Sequence, residues 1–207
     1  MEIPKTFIDF LSYNKIAYEI LHHPEAFTAQ TVAAAEHVKG RQHAKVVMVK
    51  SGGQHLMTVL PADHRVDLEK IEKITGQPAV LQAENEFKSL FPDCAVGTMP
   101  PFGNLYGLTT YVDKSLTQED FIVFEAGTHT DAIKLSYHDY ERLANPRIED
   151  LATKLHPIKR EEIRHASSLA VKESFRESRL STAQWTAETR SRNQLPASTG
   201  DLAVASP

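Results

Sequence analysis

The residues with the clearest potential for chemistry form the segment Gly97-Thr98-Met99-Pro100-Pro101-Phe102-Gly103. Its two prolines fix φ at about −65° and lack amide hydrogens, whereas the flanking glycines permit close backbone approach. This pattern predicts a stiff loop whose remaining backbone N–H and C=O groups suit the binding of a small polar group. A rigid turn between a helix and the next strand is the simpler alternative.

Lys45 precedes an apolar run, Val46-Val47-Met48-Val49, that is too continuous for a solvent-facing strand. Its ammonium is therefore expected at the end of a buried strand. There it either reaches solvent along its aliphatic stem or points into a cleft and contacts a phosphate or a carbonyl.

A third polar segment contains Gly127, Thr128 and His129, directly after an apolar run. Taken alone, it predicts a strand that leads into a glycine turn, as in a hairpin.

Other chemistries lack their sequence signatures. The ten histidines form no HExxH pair, and Cys94, the single cysteine, has no CxxC partner, so no metal site is expected. No GxGxxG, GxxxxGK[ST] or GxSxG motif occurs, which removes the main support for dinucleotide, P-loop and α/β-hydrolase functions. No cofactor is predicted. Cys94 is interpreted as a buried structural thiol, because its own segment carries no histidine that could serve as a base.

Composition bounds the class of protein. With 41% hydrophobic residues in 207, the chain can bury one core, and a single cysteine is typical of a reducing compartment. The N-terminal residues lack the pattern of a signal peptide, and no apolar run approaches the roughly 20 residues that span a bilayer. A cytoplasmic protein without a membrane partner is expected. The net charge of −4 argues against bulk electrostatic coating of nucleic acid, although a local phosphate site is compatible with it.

The elements that must position these residues alternate irregularly between helix and strand. Several strand pairs are too close in sequence for a crossover helix, so the sheet must be partly antiparallel and the fold class is α+β. Helical patterns cover Pro4–Tyr13, Thr28–His37, Val66–Thr75, Glu84–Phe91 and Tyr137–Leu143, and strand patterns cover Ala44–Lys50, His55–Pro61, Ala79–Gln82, Leu105–Val112, Phe121–Ala126 and Ala132–Ser136.

The C-terminal part differs in charge from the rest. Residues 1–146 hold 13 Lys/Arg and 19 Asp/Glu, whereas residues 147–207 hold 10 and 8. We expect a body, 1–146, that folds by itself, then a helical extension over 147–180 that begins with a helix over 147–155. A disordered tail is expected over 181–207, where Ser, Thr and Ala dominate.

Several segments together resemble one known family. Lys45 at the start of a hairpin, the Gly97–Gly103 loop, Tyr111-Val112-Asp113 and Ala126-Gly127-Thr128 follow one another as in the YbaK/prolyl-tRNA-synthetase-associated editing domains. The segments His22-His23-Pro24-Glu25 with Thr28, and residues 60–68, also match that pattern. The resemblance covers roughly residues 15–143.

This resemblance implies a compact α+β domain with a coiled mixed sheet packed by helices, which hydrolyses wrongly acylated tRNA in trans. By the same resemblance, Lys45 lies near the phosphate of the terminal adenosine, and Gly97 to Pro101 form the GxxxP loop that positions the ester. A site of this kind needs to orient the carbonyl and neutralise charge, and it can lack a side-chain nucleophile. The predicted catalytic residues are Lys45, Gly97 and Pro101, and the predicted substrate-binding residues are His23, Thr28, Thr98, Met99, Pro100, Phe102, Gly103, Asp113, Gly127, Thr128 and His129.

The predicted partner is the acceptor end of a mischarged tRNA, with an aminoacyl-tRNA synthetase as a further candidate. The amino acid, the tRNA and the oligomeric state are left open. Two alternatives stand beside the enzyme: a non-catalytic module that binds tRNA ends, nucleotides or a protein, and a regulatory module of a signalling protein, suggested by the C-terminal extension.

Overall fold

The computed structural model describes residues 2–23 and 38–155. Within these ranges the α-helices are α1 (Lys5–Tyr13), α2 (Leu68–Thr75), α3 (Glu84–Phe87) and α4 (Tyr137–Ala144), and 3₁₀ turns cover Lys88–Leu90, Gly103–Tyr106 and Lys114–Gln118. The strands are β1 (Tyr18–His22), β2 (Ala44–Ser51), β3 (Gln54–Pro61), β4 (His64–Val66), β5 (Ala79–Leu81), β6 (Thr109–Asp113), β7 (Phe121–Glu125), β8 (Asp131–Ser136), β9 (Arg147–Glu149) and β10 (Ala152–Lys154). None of the described helices has the length and apolar content needed to cross a bilayer.

The main sheet is mixed, as the sequence predicts. Its strand order is β5-β2-β3-β6-β9, in which β2 pairs antiparallel with both β3 and β5, whereas β6 runs parallel to β3 and to β9. An antiparallel sheet of order β1-β8-β7 and a two-stranded pair, β10-β4, complete the described strands. The predicted α+β class is therefore confirmed.

The main sheet is buried on both faces. Successive side chains of a strand point to opposite faces, and on β2 Met48 belongs to one apolar cluster while Val49 belongs to another. The first cluster also holds Phe7 of α1 and Phe124 of β7, and the second holds Ile71 of α2. This two-sided burial explains why the β2 sequence is continuously apolar rather than alternating.

Most predicted elements are present with shifted ends. Helix α2 begins after Asp67, whose side chain accepts a hydrogen bond from the Lys70 amide at 3.3 Å, and ends at Gly76 with φ of +69°, as its glycine predicts. The helix expected over Glu84–Phe91 is a short α-helix followed by a 3₁₀ turn. The predicted helix Thr28–His37 lies outside the described residues.

Residues 147–155 differ from the expectation of a helix, because they form β9 and β10. Strand β9 extends the main sheet beside β6, and β10 pairs with β4. The compact unit therefore continues to Leu155, beyond the expected boundary at 146. The rest of the predicted helical extension, residues 156–180, and the predicted disordered tail, residues 181–207, lie outside the described residues.

Asp113 explains why this segment is extended rather than helical. Its buried carboxylate accepts hydrogen bonds from the backbone amides of Leu151 and Ala152 at 3.0 and 2.9 Å, and from the amide and hydroxyl of Ser115. Leu151 is fully buried in the second apolar cluster. Buried backbone N–H groups must find acceptors, and this carboxylate supplies them.

We predict that a chain ending at Leu155 retains the stability of the full protein in urea unfolding, whereas a chain ending at Pro146 does not. The shorter chain deprives the Asp113 carboxylate of the Leu151 and Ala152 amides and removes Leu151 from the core, which should cost about 3 kcal/mol or more. Equal unfolding free energies for the two truncated chains would contradict this role of β9 and β10.

Candidate active site

Two backbone hydrogen bonds clamp the predicted loop to the turn that follows β7. The Gly127 amide donates to the Thr98 carbonyl at 2.7 Å, and the Ala95 amide donates to the Gly127 carbonyl at 2.9 Å. Thr98 also closes its own turn, since its amide and its hydroxyl both donate to the Ala95 carbonyl. The structure thus brings together Thr98 and Gly127, two predicted site residues that are distant in sequence.

The backbone amides of Gly97 and Met99 lie within this clamped loop. Among the described residues neither N–H group has a hydrogen-bond acceptor, although both residues line a groove of about 230 Å³. Pro100 and Pro101, which are buried, provide no N–H, and the Pro100 carbonyl accepts from the Phe102 amide at 2.8 Å. A backbone N–H without a protein acceptor at the wall of a groove is a preorganised donor for a ligand oxygen.

Glycine is required at position 97 by the backbone conformation and not by a lack of space for a side chain. Its φ is +88°, a left-handed conformation that side-chain-bearing residues rarely adopt, and an added Cβ would meet no atom within 4 Å.

At position 127, both the backbone conformation and the lack of space for a side chain require glycine. Its φ is +91°, and a Cβ would lie 2.4 Å from Cδ of Pro4, so only glycine lets the turn pack against the start of α1.

Side chains within the turn hold its shape. Thr128 and Thr130 donate from their hydroxyls to Asp131 Oδ2 at 2.6 and 3.0 Å, and His22 Nδ1 lies 2.6 Å from Asp131 Oδ1. Burial alone would raise the pKa of Asp131, but these hydrogen bonds outweigh it and lower the pKa, so the carboxylate is ionised at neutral pH. His23 joins the turn because its amide donates to the Thr130 carbonyl at 3.0 Å.

Asp131 and His22 are not among the site residues predicted from the sequence. They face each other across the pairing of β1 with β8. A signal in the sequence is Thr128 itself, whose hydroxyl accepts a hydrogen bond from the Thr130 amide at 3.3 Å, as Ser and Thr do in turns. His129, a predicted residue of the same turn, is half-buried with Nδ1 4.0 Å from Glu125 Oε1.

Lys45 belongs to β2, and its side chain lies on the face opposite to that of Val46 and Met48. It pairs with Leu60 of β3, which packs in the second apolar cluster, whereas Val46 and Met48 line the groove beside Gly97. Its Nζ donates to the Ala62 carbonyl at 3.3 Å. Burial lowers the pKa of the Lys45 ammonium, and the neighbouring Asp63 carboxylate partly opposes that effect.

Three of the predicted substrate-binding residues, Phe102, Gly103 and Asp113, make contacts inside the folded chain. Phe102 is fully buried, with its ring centroid 5.2 Å from that of Phe7, and the Gly103 amide donates to Thr110 Oγ1 at 3.1 Å. The Asp113 carboxylate accepts hydrogen bonds from the backbone amides of Leu151 and Ala152. These three residues therefore shape the scaffold and do not enter the function proposed below. Thr28 lies outside the described residues.

Cys94 has the environment of a packing residue. Burial raises the pKa of its thiol to about 11, and its Sγ lies 3.4 Å from the Tyr106 hydroxyl. A thiol with this pKa is almost entirely protonated at neutral pH and is a poor nucleophile. Among residues 2–23 and 38–155, no group of three or more His, Cys, Asp or Glu side chains is arranged to hold a metal ion.

Comparison with known proteins identifies the family. Residues 23–143 match the family model of the aminoacyl-tRNA editing domain. This match covers more than half of the chain, and the chain belongs to that family. The family resemblance seen in the sequence is thereby confirmed.

Individual relatives agree with this assignment. The multifunctional Ser/Thr-tRNA deacylase ProXp-y of Escherichia coli K12 is 29% identical over 147 residues, covering 68% of this chain and 87% of the relative. Among solved structures, hypothetical protein APE2540 has a TM-score of 0.66 at 18% identity, covering 72% of this chain and all of that one. A candidate trans-editing enzyme for prolyl-tRNA synthetase has a TM-score of 0.60 at 21% identity, covering 66% of this chain and 87% of that one. These structures establish the shared fold.

Proposed function

We propose that this protein is an aminoacyl-tRNA deacylase that acts in trans, hydrolysing the ester between a wrong amino acid and the 3′ end of its tRNA. Membership of the editing family and the activity in the name of the Escherichia coli relative support the reaction class. The observation that carries the proposal is the clamped loop with acceptor-free amides at Gly97 and Met99.

The chemistry requires stabilisation of one developing charge. When water attacks the ester carbonyl, negative charge develops on the carbonyl oxygen, and fixed N–H donors stabilise it best in a site that needs no reorganisation. The Gly97 and Met99 amides fit this role because two prolines and the Gly127 clamp prevent the loop from relaxing. The substrate itself contributes an α-ammonium and a neighbouring ribose hydroxyl, so positioning can replace a protein nucleophile.

Lys45 is assigned to the phosphate of the terminal nucleotide rather than to the ester. It is the second residue of β2 and lies on the face opposite to Val46 and Met48. A nucleotide that passes around the start of β2 can therefore place its ester at the loop and its phosphate at the Lys45 ammonium. A charge-assisted contact of this kind orients the substrate without taking part in proton transfer.

The decisive experiment is a deacylation panel with the purified full-length protein. One set of tRNAs, each charged with a different amino acid, is incubated with the protein, and loss of the radiolabelled ester is followed against a protein-free control. We expect at least one mischarged tRNA to lose its amino acid faster than the control. Binding of tRNA ends without hydrolysis of any ester would instead support the non-catalytic alternative.

Replacement of Lys45 by alanine should reduce kcat/KM about tenfold to a hundredfold, since a charge-assisted contact contributes roughly 1.5–3 kcal/mol. Lys50→Ala, at the other end of the same strand, is the matched control and should retain activity. Thermal unfolding of both variants separates a binding defect from a folding defect. A folded Lys45→Ala protein with unchanged turnover would refute the assignment.

Gly97→Ala should lower the rate at least tenfold, because alanine at φ of +88° costs about 1–2 kcal/mol and the loop moves its amide donors to relieve that strain. Gly53→Ala in the β2–β3 turn, where φ is +83° and no atom lies within 4 Å of the added Cβ, is the matched control for strain alone. No titratable group is lost, so the residual rate of Gly97→Ala should keep the pH dependence of the parent. Equal activity of the two variants would exclude a special role of the loop.

A further inference from the structure

Most of the residues that line the groove beside the loop are apolar, and two are polar. Its apolar walls come from β2, β5 and α3 and from the residues next to Gly97. The two polar residues are Gln82 and Glu84. The lining side chains used below are Val46, Met48, Leu81, Phe87, Gln82 and Glu84.

The side chains of Gln82 and Glu84 differ in whether other residues bind them. The Gln82 side-chain amide is engaged by the imidazole of His55, with Oε1 3.0 Å and Nε2 2.8 Å from Nδ1. The Glu84 side chain is exposed, and its carboxylate makes no hydrogen bond or ion pair with any of the described residues. The polar side chains that line the groove are therefore one anionic group and one amide that a hydrogen bond to His55 holds in place.

The geometry of an aminoacyl ester relates these features to one another. Its Cα carries the carbonyl carbon, an ammonium group and the side chain. The protein groups that bind these three must therefore lie within a few ångströms of one another. With the carbonyl oxygen at the Gly97 and Met99 amides, as in the function proposed above, the groove lined by these residues is adjacent to Cα.

We propose that this groove is the specificity site of the deacylase, that it accepts an uncharged aliphatic side chain between Val46, Met48, Leu81 and Phe87, and that Glu84 meets the α-ammonium. An aliphatic group buries apolar surface against these walls at no polar cost. A side-chain hydroxyl in place of a methyl group buries less apolar surface, and the apolar side chains of these walls offer it no hydrogen bond. The substrate class is thus aliphatic aminoacyl-tRNA, in contrast to the Ser/Thr class in the name of the Escherichia coli relative.

Valine and threonine provide the sharpest test, since they have nearly the same shape and differ by one methyl against one hydroxyl. The same tRNA is acylated with either amino acid, and kcat/KM for deacylation is measured with the full-length protein. We expect valyl-tRNA to be preferred about tenfold to a hundredfold, the range in which an apolar pocket separates such isosteres.

The outcomes separate this inference from the proposed function on which it rests. Equal rates, or faster loss of threonine, would overturn the aliphatic assignment while leaving the deacylase function intact. Failure to hydrolyse any member of the wider panel would overturn both.

The contact with the ammonium is tested through Glu84→Gln, with Glu69→Gln in the exposed first turn of α2 as the matched control. Because Glu84 is exposed, the variant should raise KM for valyl-tRNA only about twofold to fivefold and leave kcat unchanged. With N-acetylvalyl-tRNA, which lacks the charge, the parent protein and Glu84→Gln should have the same KM, whatever acetylation does to kcat. An equal effect of Glu69→Gln, or a higher KM for the acetylated substrate with Glu84→Gln than with the parent protein, would refute the contact.

Discussion

Burial of β2 on both faces is the constraint on which the rest of the structure depends. Because neighbouring side chains of a strand point in opposite directions, Met48 and Val49 anchor two separate apolar clusters, and each face needs its own cover. Helix α1 and the aromatic side chains of Phe102 and Phe124 cover one face, while α2 and the segment around Leu151 cover the other. The same alternation separates the chemistry, since Lys45 and the groove beside Gly97 lie on opposite faces of one strand.

The site that we propose is built almost entirely from backbone. The donors proposed for it are the Gly97 and Met99 amides. The loop is stiffened by Pro100 and Pro101 and held in position by the hydrogen bonds that Gly127 makes with Thr98 and Ala95. Gly127 is held in turn between the loop and Pro4, where no larger residue fits. Such a site does not depend on the pKa of a nucleophile, and this agrees with a thiol at Cys94 whose pKa burial raises to about 11.

The sequence by itself determined the local features, because their physics is local. The prolines and glycines of residues 97–103 specify a stiff loop, Asp67 and Gly76 delimit α2, and the apolar run after Lys45 specifies a buried strand. The family resemblance depended on the order of Lys45, this loop, Tyr111–Asp113 and Ala126–Thr128 along the chain, and the family match confirms it. These are properties that a few adjacent residues decide without reference to the remainder of the chain.

Only the tertiary structure decided which of these features meet. The strands β9 and β10 have three residues each, too few for a periodic signal, and they exist because Asp113 binds amides about 40 positions further along the chain. The contact of His22 with Asp131 depends on the register in which β1 pairs with β8. Lys45 and the loop lie on opposite faces of β2 because both faces of that strand are packed against other elements. The groove is likewise assembled from three separate segments, so its apolar walls and Glu84 have no contiguous sequence pattern. Long-range pairing and packing decide such features, because their energy arises between residues whose spacing in the sequence says nothing of their distance in space.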